Sequence, residues 1–381
     1  MKMEYIALKD VCKINMGQSP SSSSYNENED GIPFFQGNAD FGERYPVARV
    51  WCNNPTKVAN PGDILLSVRA PIGALNYAKE NCCIGRGLAA LTPNRDKVLI
   101  EYVYWVLKSK NTELNSKGTG STFKAISRKV LEETMIPDID LERQQRCVEI
   151  LEKLYRVIQM QKKKYRCLDE LVRSRFVELF GDPSTNPRGW METTVGDECF
   201  YIKDGPHKSL PDIGKENGGH PFISVRNIVN GYIDFSTARY ISDEDFAEAI
   251  NKCNPEKGDM LYSKGGTTGI AKLIDIDEEF ANWVHVAVLK FDKTKLNGIF
   301  FENMLNGAYC YEQSQRLTKG IANKDLVLSA IAKIKMYIPP IKLQNQFADF
   351  VKQIDKSKLI VQKELDETQL LFDSLMQEYF G

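Results

Sequence analysis

Residues 141–180 read LERQQRCVEILEKLYRVIQMQKKKYRCLDELVRSRFVELF, a run with neither glycine nor proline. A helix of that length, at 1.5 Å per residue, is about 60 Å long. Leu151, Leu154, Ile158, Gln161, Tyr165, Leu168, Val172, Arg175 and Leu179 step along it by three and four, and most are apolar. Such a narrow, heptad-like stripe fits the side of another helix better than a broad core. Gly181 and the stretch Asp182-Pro183-Ser184-Thr185-Asn186-Pro187 stop the helix.

The same rhythm closes the chain. In the expected helix 343–380, Ile354, Lys358, Val361, Leu365, Thr368, Phe372, Leu375 and Tyr379 form the matching stripe. Other landmarks recur in the same order, about 200 residues apart. Gly62-Asp63-Ile64-Leu65-Leu66-Ser67 returns as Gly258-Asp259-Met260-Leu261-Tyr262-Ser263, and Ile32-Pro33-Phe34-Phe35 as His220-Pro221-Phe222-Ile223. Met135-Ile136-Pro137-Asp138-Ile139 pairs with Tyr337-Ile338-Pro339-Pro340-Ile341, then Leu141-Glu142-Arg143-Gln144-Gln145 with Leu343-Gln344-Asn345-Gln346-Phe347. Phe176–Gly181 pairs with Met376–Gly381. The chain is two diverged copies of one unit.

Each copy opens with a mixed globule. Short runs rich in Val, Ile and aromatics (64–68, 260–263, 286–291) read as strands, and longer periodic stretches (100–114, 243–251, 300–316) as helices. The expected fold class is therefore α/β (α+β) globules, two copies in a pseudo-two-fold repeat, joined by two long antiparallel coiled-coil helices. The expected domains are a first globule (1–140), a central helix (141–181), a second globule (182–341) and a C-terminal helix (342–381). Unlike heads carried at opposite ends of a helical ruler suit an asymmetric two-part DNA site, since DNA-binding dimers place half-sites roughly 34–36 Å apart.

The whole chain of 381 residues is slightly acidic, with a formal net charge of −1. Its basic residues nevertheless cluster. Lys108, Lys110, Lys117, Lys124, Arg128 and Lys129 face Glu113 alone within their segment, and Arg316, Lys319, Lys324, Lys333 and Lys335 face Asp325 alone. Phosphate neutralisation dominates DNA affinity, so Lys117, Thr119, Ser121, Lys124, Arg128, Lys129, Arg316, Lys319 and Lys324 are the phosphate-contact candidates. The string Gly118-Thr119-Gly120-Ser121-Thr122 also suits a phosphate, although such strings are more often plain loops. Base edges are read by Arg, Lys, Asn, Gln, Ser and Thr. Loops beside the landmarks supply Gln36, Asn38, Ser67, Arg69 and Arg86 in the first copy. The second supplies Ser224, Arg226, Asn227, Lys264, Thr267 and Thr268.

These landmarks resemble the specificity subunits of type I restriction–modification systems. The residues that carry the resemblance are Gly62–Ser67, Ile136-Pro137 with Leu141–Gln145, and Phe180-Gly181-Asp182-Pro183 with Asn186-Pro187-Arg188-Gly189-Trp190. Gly258–Leu261, Ile338–Ile341 and Leu343-Gln344 carry it in the second copy. The resemblance spans nearly the whole chain. It implies two target-recognition domains reading a bipartite site in double-stranded DNA. It also implies helices that set the spacer and dock two methyltransferase subunits, and restriction subunits in the full complex. S-adenosylmethionine, ATP and Mg would belong to those partners, and this chain would hold no cofactor or metal and catalyse nothing. The second copy departs from the pattern where Gln-Asn-Gln-Phe follows in place of Glu-Arg-Gln-Gln.

Enzyme signatures are missing. No G-x-x-x-x-G-K-S/T occurs, and Gly265-Gly266-Thr267-Thr268-Gly269 lacks its Lys. The three His are scattered without an HExxH, and the nine Cys form no CxxC pair. No apolar run reaches the roughly 20 residues of a membrane helix. A cytoplasmic protein with reduced thiols and no membrane partner is expected. The competing function is a coiled-coil scaffold that binds proteins and no DNA. A nuclease or methyltransferase with unrecognised motifs is the enzymatic alternative.

Overall fold

The structure, a computed structural model, describes residues 4–120, 124–320 and 324–381. It divides into two compact units, Met1–Lys163 with Gln362–Gly381, and Lys164–Val361. Each long helix is continuous, Leu141–Phe180 and Ile341–Phe380, so each begins in one unit and ends in the other.

The heart of the first unit is an antiparallel four-stranded sheet in the order Cys12–Met16, Leu88–Pro93, Ile64–Ser67, Leu75–Tyr77. The second unit repeats it as Cys199–Asp204, Val286–Phe291, Met260–Ser263, Ala271–Leu273. Ile64–Ser67 and Met260–Ser263 are buried along their whole length, which explains their unbroken apolar reading. The Gly-Asp before each is a turn. Gly62 and Gly258 hold φ of 88° and 89°, where a side chain is strained. The buried carboxylates of Asp63 and Asp259 accept the backbone N–H of Asn60 (2.8 Å) and Glu256 (2.9 Å).

A second sheet in each unit, of five short strands in the first and three in the second, contains a parallel pair, Ile32–Phe35 with Cys82–Ile84 and His220–Ile223 with Ala281–Asn282. The strand preceding each long helix, Met135–Pro137 or Lys335–Ile338, pairs with the unit's first strand, Tyr5–Ala7 or Met191–Thr194.

All seventeen stripe positions expected in the two helices are buried or half-buried. In the first unit, Gln161 donates to Thr368 at 3.4 Å, and Leu151, Ile158 and Phe372 share one core. In the second, Lys358 pairs with Asp169 at 2.5 Å, and Val172 and Phe176 share a core with Phe347 and Val351. Low residue numbers of one helix meet high numbers of the other, so the pairing within each unit is antiparallel. A head helix packs across each pair through aromatic edges, Tyr102 on Phe380 at 5.6 Å and Phe300 on Phe180 at 4.9 Å.

Three sequence expectations need correction. The stretch 100–114 is two helices, Ile100–Ser109 and Asn111–Ser116, broken where Lys110 leaves helical geometry (ψ 10°). The stretch 300–316 is likewise Gly298–Asn306 and Ala308–Leu317, broken at the extended Gly307. The late landmarks were paired two residues out of register. Leu8 and Val195 donate to the carbonyls of Thr134 and Ile334, and Gln144 corresponds to Gln344. The apparent loss of Glu-Arg-Gln-Gln in the second copy is partly this slip.

Gln144 and Gln344 fasten each head to its helix. Gln144 is buried; its Oε1 accepts Leu99 N–H (2.8 Å), and its Nε2 donates to the carbonyls of Lys97 (3.2 Å) and Ile139 (2.8 Å). Gln344 repeats this with Asn297 N–H (2.8 Å), Lys295 O (3.2 Å) and Pro339 O (2.7 Å). Gln144→Leu keeps the volume but strands three part-buried backbone groups. A destabilisation of roughly 3 kcal/mol is expected, read as a lower Tm in thermal unfolding. An unchanged Tm contradicts this account of the joint.

Candidate nucleic-acid interface

Five of the first copy's base-reading candidates meet at one place. Gln36, Asn38, Ser67, Arg69 and Arg86 line a single pocket of about 290 Å³ with Ser19, Ala70 and Gly87. It forms where three strands end, Ile32–Phe35, Ile64–Ser67 and Cys82–Ile84. Ser67 is buried, and its hydroxyl donates to the carbonyl of Arg69 at 2.9 Å, shaping the turn that presents this residue. The side chains of Arg69 and Arg86 are exposed and make no ion pair among the described residues.

The second unit has a pocket at the same three strand ends, about 560 Å³, lined by Ser224, Arg226, Gly265, Gly266, Trp283, His285 and Lys324. The two backbone frames share three bonds. Val68 N–H donates to Gly87 O (2.9 Å) as Lys264 N–H does to His285 O (2.8 Å), and Gly85 N–H to Phe35 O (2.8 Å) as Trp283 N–H to Ile223 O (2.9 Å). Ala70 N–H donates to Lys124 O (3.0 Å) as Gly266 N–H to Lys324 O (3.1 Å). These last bonds bring Lys124 and Lys324 to equivalent places beside the two pockets.

Other second-copy candidates lie elsewhere. Asn227 is buried; its Oδ1 accepts Ser224 N–H (2.8 Å), and its Nδ2 donates to Asp234 O (2.8 Å), closing a short turn. The buried Lys264 ammonium lies 3.3 Å from both Asp204 and Asp325. Thr268 is buried, with its hydroxyl 2.9 Å from that of Thr318, whereas Thr267 is exposed. Arg226 is exposed, but its guanidinium donates to Thr237 O. Polar atoms of Asn227, Lys264 and Thr268 are thus engaged inside the unit.

The basic segments are less free than their residue counts suggest. Lys117 pairs with Glu113 (2.5 Å), Arg128 with Glu132 (2.7 Å), Lys129 with Glu133 (3.7 Å) and Arg316 with Glu312 (3.7 Å). Exposed helical pairs of this kind contribute little to stability and stay available to phosphate. Lys108 is different. It lies over the rings of Tyr155 (4.5 Å) and Trp105 (4.9 Å), and burial, with Arg44 beside it, pushes its pKa down to about 8. It belongs to the joint between head and helix. Thr119 and Lys319 pair their backbones with Ala125 and Asp325 in matching bridges, and among the described residues Lys124, Lys319 and Lys324 form no ion pair. Ser121 lies outside the described residues.

Sequence reading missed Ser19, Trp283 and His285. Aligning Cys82–Ile84 with Ala281–Asn282 would have found the last two, because Gly85 and Gly87 then fall opposite them. Among the described residues no helix is long and apolar enough to cross a membrane, and no cluster of three metal-ligating side chains occurs.

Comparison with known proteins agrees with the two-copy reading. Residues 1–169 and 187–369 each match the family described as type I restriction modification DNA specificity domain. The MjaX type I restriction enzyme specificity subunit of Methanocaldococcus jannaschii is 43% identical over 152 residues, 40% of this chain and 36% of that relative. The MjaIX specificity subunit of the same organism is 24% identical over 395 residues, 97% of this chain and 90% of the relative. A crystal structure of the type I restriction–modification S subunit from M. genitalium aligns over 100% of this chain and 96% of its own, with a TM-score of 0.63 and 16% identity. Its fold is therefore shared from end to end. These relatives are specificity subunits, the non-catalytic members of their systems.

Substitutions separate the pocket wall from its supports. Lys264→Ala removes the buried ammonium between Asp204 and Asp325, leaves Asp204 only the more distant Lys252 at 3.6 Å, and is expected to cost about 2 kcal/mol of stability. Arg69→Ala removes an exposed, unpaired side chain and is expected to change stability by less than about 0.5 kcal/mol. Thermal unfolding of the two variants checks both. Equal Tm values for the pair contradict the assignment.

Proposed function

We propose that this chain, which belongs to the type I restriction modification DNA specificity family, reads a bipartite, asymmetric site in double-stranded DNA. One observation carries the reading. The two units hold pockets on the same backbone frame, walled by unlike side chains. Equal frames suit equal ligands, here two segments of duplex. Unlike walls suit unlike sequences, hence an asymmetric site. Residues 1–140 and 182–341 are the two target-recognition domains. Arg69 and Arg86 are suited to guanine, whose O6 and N7 accept a guanidinium fork. Lys124, Lys319 and Lys324 sit where phosphates would flank a bound base pair, and Lys117, Arg128, Lys129 and Arg316 add to that field.

The long helices set the gap between half-sites and dock the partner subunits. Leu359 is 71% exposed, Ile360 60%, Leu370 73% and Leu371 50%, and Leu171 and Val177 are exposed on the first helix. Apolar surface of this kind marks a protein interface. Two methyltransferase subunits and the restriction subunits are the partners. S-adenosylmethionine, ATP and Mg are theirs, and the assembly works in the cytoplasm.

Selection from a random duplex library, with the chain co-expressed with its methyltransferase subunit, tests this. Two short enriched blocks at a fixed spacing are expected, with binding that weakens steeply as salt rises. A stable complex with the methyltransferase subunit and no enriched sequence would overturn DNA reading and leave a scaffold.

A further inference from the structure

We infer that His285, positioned by Trp283, is the specificity-determining side chain of the second pocket, reading one base edge of the second half-site from the opposite wall to Arg69 in the first. The inference rests on the DNA reading proposed above and adds the residue that distinguishes the two heads.

Arg69 and Gly265 occupy one position, in matching bridges to Ala125 and Asp325. Gly87 and His285 occupy another, as acceptors of the matching bonds from Val68 and Lys264. Bulk has changed walls. In the first pocket Arg69 stands across from Gly87, where a Cβ would lie 2.2 Å from Gln36 O. In the second, His285 stands across from Gly265, where a Cβ would lie 2.1 Å from the imidazole Nδ1. In the second pocket the imidazole itself requires the glycine across from it, whereas in the first the Gln36 carbonyl requires Gly87. A further glycine, Gly85, is replaced by Trp283, whose indole meets His285 edge to face at 4.9 Å and 75°. Arg239 lies over that indole at 5.8 Å and braces it.

Neither ring is accounted for by internal bonding. The indole Nε1 of Trp283 and the Nδ1 of His285 are buried with no hydrogen-bond partner among the described residues. Native structures rarely leave such groups unpaired, so two of them side by side in one pocket wall call for a partner. Arg226, the one arginine lining this pocket, already donates to Thr237 O. Ser224 is bonded to Asn227 Oδ1 (3.0 Å) and Lys324 is placed for phosphate, which leaves the imidazole, through Nε2 because Nδ1 lies against Gly265, to read a base edge. A base that presents an acceptor in the major groove is the fitting ligand.

Site selection with His285→Ala, Trp283→Phe and wild-type chain, each co-expressed with the methyltransferase subunit, tests this. His285→Ala is expected to relax one position of the second block about tenfold, the cost of a lost base contact, while the first block and the gap stay as they were. Trp283→Phe keeps an aromatic brace and is expected to retain more of that preference than His285→Ala. The intact first block certifies folding within the same molecule. An unchanged second block in His285→Ala, with the wild type giving two blocks, overturns this inference alone. No blocks from the wild type overturns the DNA reading beneath it.

Discussion

A helix of 40 residues with one narrow apolar stripe cannot stay in water uncovered, and the rest of the structure follows from how that stripe is covered. The first helix has no head of its own broad enough to lie against along its length. In each unit a segment of one long helix therefore pairs antiparallel with a segment of the other, and the head closes over the pair through Tyr102 or Phe300. Apolar packing alone would tolerate sliding. Gln144 and Gln344 remove that freedom, because each buried amide satisfies three backbone groups of its own head at one register. The head is thereby fixed to the start of its helix.

Once the frame is set by backbone bonds, the side chains at its rim are free to differ. The floor of each pocket is made of main-chain pairs at three strand ends, with glycines at the tightest approaches. The second head carries glycine at the Arg69 position and histidine at the Gly87 position with the matching backbone pairs still formed. A scaffold that separates its structural bonds from its contact surface in this way can change what it binds without refolding. That is the physical content of two copies with one fold and unlike walls.

Much of this was legible in the residues. The stripes 151–179 and 354–379 follow helical spacing and are buried or half-buried throughout. Gly62-Asp63 and Gly258-Asp259 marked real turns because only glycine takes their φ and only a short carboxylate closes them. The end of the first helix was equally plain. Gly181 turns the chain at φ 80°, and Trp190 comes back to donate to Phe180 O at 2.8 Å. Other features were hidden by long-range geometry. Asn227, Lys264 and Thr268 have the chemistry of base readers, but a local turn holds Asn227 and partners far along the chain hold Lys264 and Thr268 inside. Glu132, Glu133 and Glu312 lay just outside the charge runs they neutralise. Two Ile-Pro pairs, at Ile136 and Ile338, invited an alignment that the hydrogen bonds of Thr134 and Ile334 move by two residues.

The central claim is that each head reads its own block while the helices fix the gap. Exchange of residues 1–140 for the corresponding segment of a relative, followed by site selection in the methyltransferase complex, tests it most directly. The account predicts that the first block changes, and that the second block and the spacing remain. A change in both blocks, or in the gap alone, would contradict it.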